Sequence, residues 1–335
     1  MEFTVGVDIG GTNIKIGLVD ERGKVVCRRR LHTDRAEPAQ MTLARIAQCV
    51  VKLSLNYPVK GLGIGVAGLV DCRSGVVRYS PNLPLWAQVS VKDTLARLTG
   101  FEVYCANDAD AVTIGEWLFG AARGCHDVLC LTLGTGVGSG IIANNQPLWG
   151  ANCFAGELGH TVIFPHGTAC GCGDRGCLES YVGARALVQK CKRLLRRQQP
   201  KFANLRNQLA LFGEHARDRS RIWELIRYDL RNLTPEEISA AAKKKDQIAC
   251  RVIDDMGHLL GRAIYNAILV IDPELVVIGG GMSRFGAPLL QAVKIAIFSH
   301  SYLQNRKLKI VLSQLREDAG ILGASQLNRF VPVSS

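Results

Sequence analysis

"DVLCLTLGTGVGSGIIANN", residues 127–145, repeats in kind what "FTVGVDIGGTNIKIGLVD" does at residues 3–20. Each runs an apolar, β-branched segment into a glycine-bearing turn and out into a second apolar segment, the pattern of two strands joined by a tight loop. Two halves that each open on such a hairpin imply a duplicated domain with a cleft between the copies. The rest of the chain alternates around them. Residues 39–55 carry apolar side chains at spacings of three and four, which predicts a helix, and "GLGIGVAGLVD" (61–71) is a buried strand entering a glycine loop. "VSVKDTLARLTG" (89–100) is a helix closed by Gly100, and "EVYCAND" (102–108) is a strand running into polar residues. Residues 236–270 predict one long helical stretch, "ELVVIGGGMS" (274–283) a strand ending in three glycines, and "GILGASQLNRF" (320–330) a last helix. Strand and helix in alternation make an α/β protein.

Composition narrows the function classes. The chain has 335 residues, 47% hydrophobic and 21% charged, which suits a water-soluble protein with a large core. No apolar run approaches the ~20 residues of a membrane span, and the first residues lack a basic stretch followed by an apolar one. The expectation is a cytoplasmic protein with no membrane partner. The formal charge is +12, but Lys190 to Arg231 alone holds twelve Lys/Arg against four Asp/Glu. That local excess reads as a solvated helical face, with no nucleic-acid partner expected. Nine of the twelve cysteines stand singly, mostly in apolar runs such as "DVLCLTL", the pattern of reduced core thiols.

The other three fall in "GHTVIFPHGTACGCGDRGCLES" (159–180). His160, Cys170, Cys172 and Cys177 supply four soft or borderline ligands, which suit a tetrahedral structural Zn2+ with no position left for water. The spacing H-x9-C-x-C-x4-C differs from that of DNA-reading fingers.

The glycine loops, the "CAND" turn and this cysteine cluster together resemble the ROK family of sugar kinases and repressors. "LTLGTGVGSGIIANNQPLWGANCFAGELGH" resembles that family's signature, "GHTVIFPHGTACGCGDRGCLE" its zinc motif and "VVIGGGMSRFG" its adenosine loop. Within the family the chain is most similar to bacterial ATP-dependent glucokinases, at "PNLPLW", "CANDADAVTIGEW" and "REDAGILGAS". The resemblance implies a duplicated actin-like ATPase (ribonuclease H-like) fold whose two domains enclose the active site. Residues 1–109 would form a small domain completed by a C-terminal helix at about 310–335, and 110–309 a large one containing a basic helical segment at 190–232. The implied activity is ATP-dependent phosphorylation of a hexose, glucose first, with N-acetylmannosamine, N-acetylglucosamine or fructose as alternatives. A polyphosphate donor and a sugar-responsive repressor are further alternatives. The repressors carry a helix-turn-helix ahead of the first strand, which here begins at residue 3.

The implied roles follow the motifs. Gly10, Gly11, Thr12, Asn13 and Lys15 face Gly134, Thr135 and Gly136 across the ATP phosphates, because loops without side chains bring backbone N–H groups to phosphate oxygens. Gly279, Gly280 and Gly281 receive the adenosine. Asp8 orients Mg2+ through water. Asp108 is the general base, while Gly68, Asn82, Asn107, Glu157, His160 and Glu179 hold the sugar. His160 serves both shells, one ring nitrogen on zinc and the other toward the sugar. Asp110 is read as a cap for a helix starting near Ala111. Two departures fall near the sugar: Leu85 and Gly183 replace the glycine and serine common there. Lys245-Asp246 stands where Gly-Asp is usual. A homo-oligomer, dimer or tetramer, is expected.

Overall fold

The computed structural model describes residues 2–197, 220–303 and 307–332. At the N-terminus β1 (Phe3–Ile9) pairs antiparallel with β2 (Asn13–Asp20), and β2 with β3 (Val25–His32). On its other side β1 runs parallel to β4 (Val59–Val66), which runs parallel to β8 (Glu102–Asn107). The sheet order is β3-β2-β1-β4-β8. A second sheet repeats the plan in the order β11-β10-β9-β12-β13. There β9 (Val128–Leu133), β10 (Val137–Ala143) and β11 (Gln146–Pro147) are antiparallel, and β12 (Leu275–Gly279) and β13 (Lys309–Leu312) extend β9 in parallel. The duplication read in the two hairpins is therefore complete at the level of topology. Each glycine loop sits at the same turn of its own sheet.

Each sheet has its own core. In the first lobe α1 (Ala39–Ser54) buries Leu43, Ile46 and Val50, and α2 (Val91–Thr99) buries Leu95, against Val5, Ile16 and Ile64. In the second, α4 (Glu179–Val182) buries Val182, and α5 (Ala184–Arg197), α8 (Gln247–Ile271) and α9 (Ala287–Phe298) cover the sheet with Leu187, Val252, Leu260 and Leu289. A small sheet of β5 (Leu69–Asp71), β6 (Val76–Tyr79) and β7 (Val89–Ser90) projects from the first lobe.

The lobes meet where the helices that follow the fifth strand of each half cross. These are α3 (Asp108–Phe119) after β8 and α10 (Ala319–Ala324) after β13. Glycine permits the contact. A Cβ at Gly115 would lie 2.2 Å from the Ala319 carbonyl, and one at Gly323 would lie 1.6 Å from that of Ala111. The two helices also trade sheets: α10, from the second half, lies over β1 of the first sheet, where Gly6 meets the Ile321 carbonyl. Meanwhile Ala109 and Thr113 of α3 pack on Gly138 and Gly140 of β10.

Four sequence expectations need correction. The 236–270 helix is two, α7 (Pro235–Lys243) and α8, broken where Lys245 takes φ 60° and Asp246 caps the next helix by accepting from Ala249 N at 2.9 Å. Glycine adopts that left-handed φ more readily than lysine does. The C-terminal helix expected from about 310 is instead β13 at its start, because Ile310 pairs with Val276 in the second sheet. Only 319 onward crosses to the first lobe. Helix α3 begins at Asp108 rather than near Ala111, and Asn107 rather than Asp110 is its cap. Finally, Cys72 and Cys153 are disulfide-bonded while the other ten cysteines are free.

Of the basic segment, Arg193, Arg196 and Arg197 are exposed on α5 above buried Leu195, and α6 (Ile222–Leu225) buries Ile222 and Trp223. Residues 198–219 of that segment lie outside the described residues. No helix among the described residues is long and apolar enough to cross a membrane.

Candidate active site

A cavity of about 460 Å³ lies between the lobes, and nearly every residue singled out from the sequence lines it. Asp8, Gly10, Gly11, Thr12, Asn13 and Lys15 come from the first hairpin, Gly134, Thr135 and Gly136 from the second. Gly68, Asn82, Asn107, Asp108, Glu157, His160 and Glu179 line it as well. The third glycine run divides: Gly280 lines this cavity and Gly281 a neighbouring one, while Gly279 closes β12.

Both phosphate-type loops are closed by their own backbone, Gly10 N donating to Asn13 O at 3.1 Å and Gly134 N to Gly136 O at 3.0 Å. None of the four glycines at these turns has positive φ, so space and not backbone freedom is what they supply. A Cβ at Gly11 would meet Asn82, and one at Gly136 would lie 2.2 Å from Glu179 Oε2; Gly134 faces open space. Glu179 is thereby tied to the loop. Its Oε2 accepts from Val137 N at 2.9 Å, which leaves Oε1 outside that bond.

Asn107 is likewise more committed than the sequence suggests. Its Oδ1 accepts from Ala109 N at 2.7 Å, capping α3, and its Nδ2 donates to Gly68 O at 2.8 Å. One amide hydrogen remains for a ligand. The cap places Asp108 in the first turn of α3, facing the cleft. Burial pushes the Asp108 carboxyl up to about 7; the Asp8 charge adds to this, the Ala109 N–H opposes it, and Glu157 adds again. Asp8 is raised by burial and drawn back by Lys15, whose Nζ lies 3.3 Å from Oδ2. Glu157 is raised by burial, with His160 opposing and Glu179 reinforcing. Asp110 stands well above the ordinary carboxylate range, through burial and then the charges of Glu157 and Asp108. Helix α3 thus presents one carboxyl to the cleft, poised near neutrality, and buries a second, also raised, behind it.

Glu157 and His160 flank a 3-10 turn, Leu158–His160, pinned to β10 by Ser139, whose Oγ donates to Gly156 O and accepts from Leu158 N at 3.1 Å. His160 lines the cleft, and its Nδ1 points to Cys170 Sγ at 3.8 Å, which leaves Nε2 outside that contact. Ligand atoms of His160, Cys170, Cys172 and Cys177 all lie within 4.8 Å of one another. Zn–S bonds of about 2.3 Å make a tetrahedral S···S edge of about 3.8 Å, and Cys172 Sγ to Cys177 Sγ is 3.7 Å. The four side chains fit one tetrahedral ion. His166 is outside the group.

The neighbouring cavity, about 390 Å³, is lined by Pro235, Glu236, Ser239, Ala240, Lys243 and Lys244 along α7 and by Gly281, Met282, Arg284 and Phe285 opposite. The two cavities meet at Gly280-Gly281. Sequence reasoning located the glycine wall and a helix from 236 onward but not that α7, opened by the Thr234 capping box, forms the facing wall.

The profile of the ROK family matches residues 4–330. The glucokinase of Thermotoga maritima is 36% identical over 327 residues, covering 96% of each chain. The xylose repressor of Caldicellulosiruptor bescii is 30% identical over 325 residues, covering 95% of this chain and 76% of the repressor. Among solved structures, a ROK family glucokinase from Streptomyces griseus in complex with glucose and AMPPNP superposes with a TM-score of 0.82 at 31% identity, over 97% of this chain and 98% of that one.

Proposed function

The chain belongs to the ROK family, and on that premise we propose that it transfers the terminal phosphoryl group of ATP to the 6-hydroxyl of glucose, in the cytoplasm. The observation that carries this reading is the placement of Asp108, a carboxyl held near neutral pH in a cleft between two glycine loops and a polar cage. A base of that affinity is roughly half ionised near pH 7 and takes a proton readily.

The adenosine occupies the cavity between α7 and Gly281–Phe285, and its phosphates pass Gly280 into the cleft. There the backbone N–H groups of the Gly10–Asn13 and Gly134–Gly136 turns receive the phosphate oxygens, with Lys15 beside them. Asp8 would orient a Mg2+ bound with ATP, which would supply neutralisation of charge on the phosphates. Asn82, Glu157, the Nε2 of His160 and the free oxygen of Glu179 hold the sugar, and the spare Asn107 N–H and Gly68 complete the cage. Asp108 then accepts the proton of the attacking hydroxyl as the new O–P bond forms and the bond to ADP breaks. We assign Zn2+ to His160, Cys170, Cys172 and Cys177, where it fixes the loop whose two ends carry Glu157 and Glu179. Self-association through the outer faces of α8 and α9, where Val270 is 85% exposed and Ile295 and Phe298 are exposed, accounts for an oligomer.

The test is a coupled ADP-release assay over glucose, fructose, mannose, N-acetylglucosamine and N-acetylmannosamine, with ATP or polyphosphate as donor. Glucose with ATP should give the highest kcat/KM. An N-acetyl sugar preferred tenfold or more over glucose would overturn the substrate assignment, and no turnover with any of them would overturn the kinase reading.

A further inference from the structure

Cys72 and Cys153 come from opposite lobes. Cys72 follows β5 in the small projecting sheet, four residues after Gly68; Cys153 lies between β11 and the Glu157–His160 turn, four residues before Glu157. Their Cα atoms are 5.9 Å apart, ordinary for a disulfide, and both residues are buried. The bond lies in one buried cluster with Ala111 of α3, Ala324 at the end of α10 and Leu327 beyond it, beside the helix crossing. Two weaker links from the same β5–β6 hairpin bridge the lobes as well: Arg73 Nη1 donates to Ala151 O at 3.0 Å and Tyr79 Oη to Gly171 O at 3.2 Å, the latter in the cysteine loop. Cys153 also takes φ 58°, a left-handed conformation in which glycine is at home and a β-carbon is not. A side chain at such a position is there for what it bonds to.

We propose that Cys72 and Cys153 are a reversible thiol–disulfide modification site whose oxidation locks the two lobes together and slows exchange of the cleft's ligand. The reaction partner is a low-molecular-weight disulfide. One cysteine, as thiolate, attacks a sulfur of that disulfide, forming a mixed disulfide and expelling one thiolate. The second cysteine gives up its proton, attacks the protein sulfur of the mixed disulfide and expels the other thiolate. Two electrons pass from the cysteine pair to the reagent, and the two protons end on the released thiols. Reduction is the reverse. Both cysteines are buried when bonded, so the pair is oxidised from the parted state, and its reduction proceeds through local opening at the bond rather than through parting of the lobes. Conversely, a 5.9 Å tether beside the pivot removes the rotation that parts them. Linkage then makes the effect reciprocal: a ligand that draws the lobes together promotes the disulfide, and the disulfide retains the ligand. In a reducing compartment a disulfide is characteristically a sensing device rather than a permanent brace.

The ligand arm of this inference rests on the glucose reading above; the arm without ligand does not. The zinc-loaded protein is equilibrated in reduced or oxidised glutathione, with zinc content checked before and after. Digestion and mass spectrometry should show Cys72 joined to Cys153 after oxidation. Small-angle scattering without sugar should give a larger radius of gyration for the reduced protein than for the oxidised one. Stopped-flow dissociation of glucose should be at least tenfold slower from the oxidised form. Cys153→Gly, which suits the local backbone, should behave as the reduced protein in both buffers. Failure of glutathione disulfide to join the pair would overturn the proposal. Equal radii in the two redox states would do so too, even if glucose does not bind, and so would a redox effect that persists in Cys153→Gly.

Discussion

Replacing Asp108 by Asn removes the proposed base while keeping its shape, and the structure predicts opposite effects on rate and stability. A carboxyl at about 7 in the folded protein against 3.8 when free binds protons more tightly folded than unfolded. Its contribution to stability is therefore complete below about pH 3.8 and is lost as pH rises through about 7. Each tenfold change in proton affinity is about 1.4 kcal/mol, which sets a ceiling of ~4 kcal/mol on the stability sacrificed at pH 8. Asp108 is partly open to cleft water, so solvent screening roughly halves this, to ~2 kcal/mol. In a chain of this length that is about 3 °C in Tm. Asp108→Asn should thus match the wild type near pH 4, gain stability progressively up to pH 7 and hold a constant gain above it, measured by thermal melting without Mg2+ or nucleotide. The same variant should lose about 10^2- to 10^4-fold in kcat while retaining sugar affinity. A loss under tenfold would remove Asp108 from the role of base. A Tm difference that does not vary with pH would show that its carboxyl is not held near neutrality.

Elemental analysis should find one Zn2+ per chain, and Cys172→Ser should lose it together with both Tm and sugar affinity; loss of metal with an unchanged KM for glucose would uncouple the cysteine loop from Glu157 and Glu179. Ala240→Phe, which fills the cavity beside Gly281, should raise the KM for ATP at least tenfold and leave the KM for glucose within twofold, and equal effects on both would move the nucleotide elsewhere. Lys245→Gly should stabilise the α7–α8 junction by about 0.5 to 1 kcal/mol in denaturant titration, since the backbone there is left-handed; a loss of stability would mean that the lysine side chain contributes more than the backbone strain.

The duplication was legible because each half is written in hairpins whose pairing is local: Ile9 meets Ile14, and Leu133 meets Val137, within one turn. The cleft residues were legible for the same reason, being carried on short loops at strand ends. What escaped depends on partners distant in sequence. Ile310 looks like the start of a helix until β12 is beside it, 34 residues away, and only then does pairing outweigh local pattern. Lys245 looks like a helix interior because a lysine rarely adopts positive φ, and the break shows only in the backbone. Cys72 and Cys153 are separated by 81 residues and lie in different lobes, so no spacing rule relates them. Asn107 and Glu179 were found but under-read: motif matching gives them to the sugar, whereas their hydrogen bonds show that each also holds the protein together.

Helix α3 shows why so many of these features converge. Its first residue is Asp108, and eight positions later Glu116 is wholly buried at the other end. The Glu116 carboxylate accepts from Ala121 N at 2.9 Å, Gln314 N at 3.3 Å, Leu315 N at 3.0 Å and the Ser313 hydroxyl. Residues 313–315 are the strand of chain that leaves β13 and returns to the first lobe as α10. One helix therefore carries the cleft carboxyl at its N-terminus and grips the interlobe connection at its C-terminus, with the glycine crossing of α10 between. A rotation of the lobes about that crossing would be carried by a helix packed at both ends. Relative movement at the connection would then move Asp108 against the two glycine loops. Lobe closure would for that reason also align the carboxyl, and the proposed tether between Cys72 and Cys153, in one buried cluster with Ala111 of the same helix, would act on both at once.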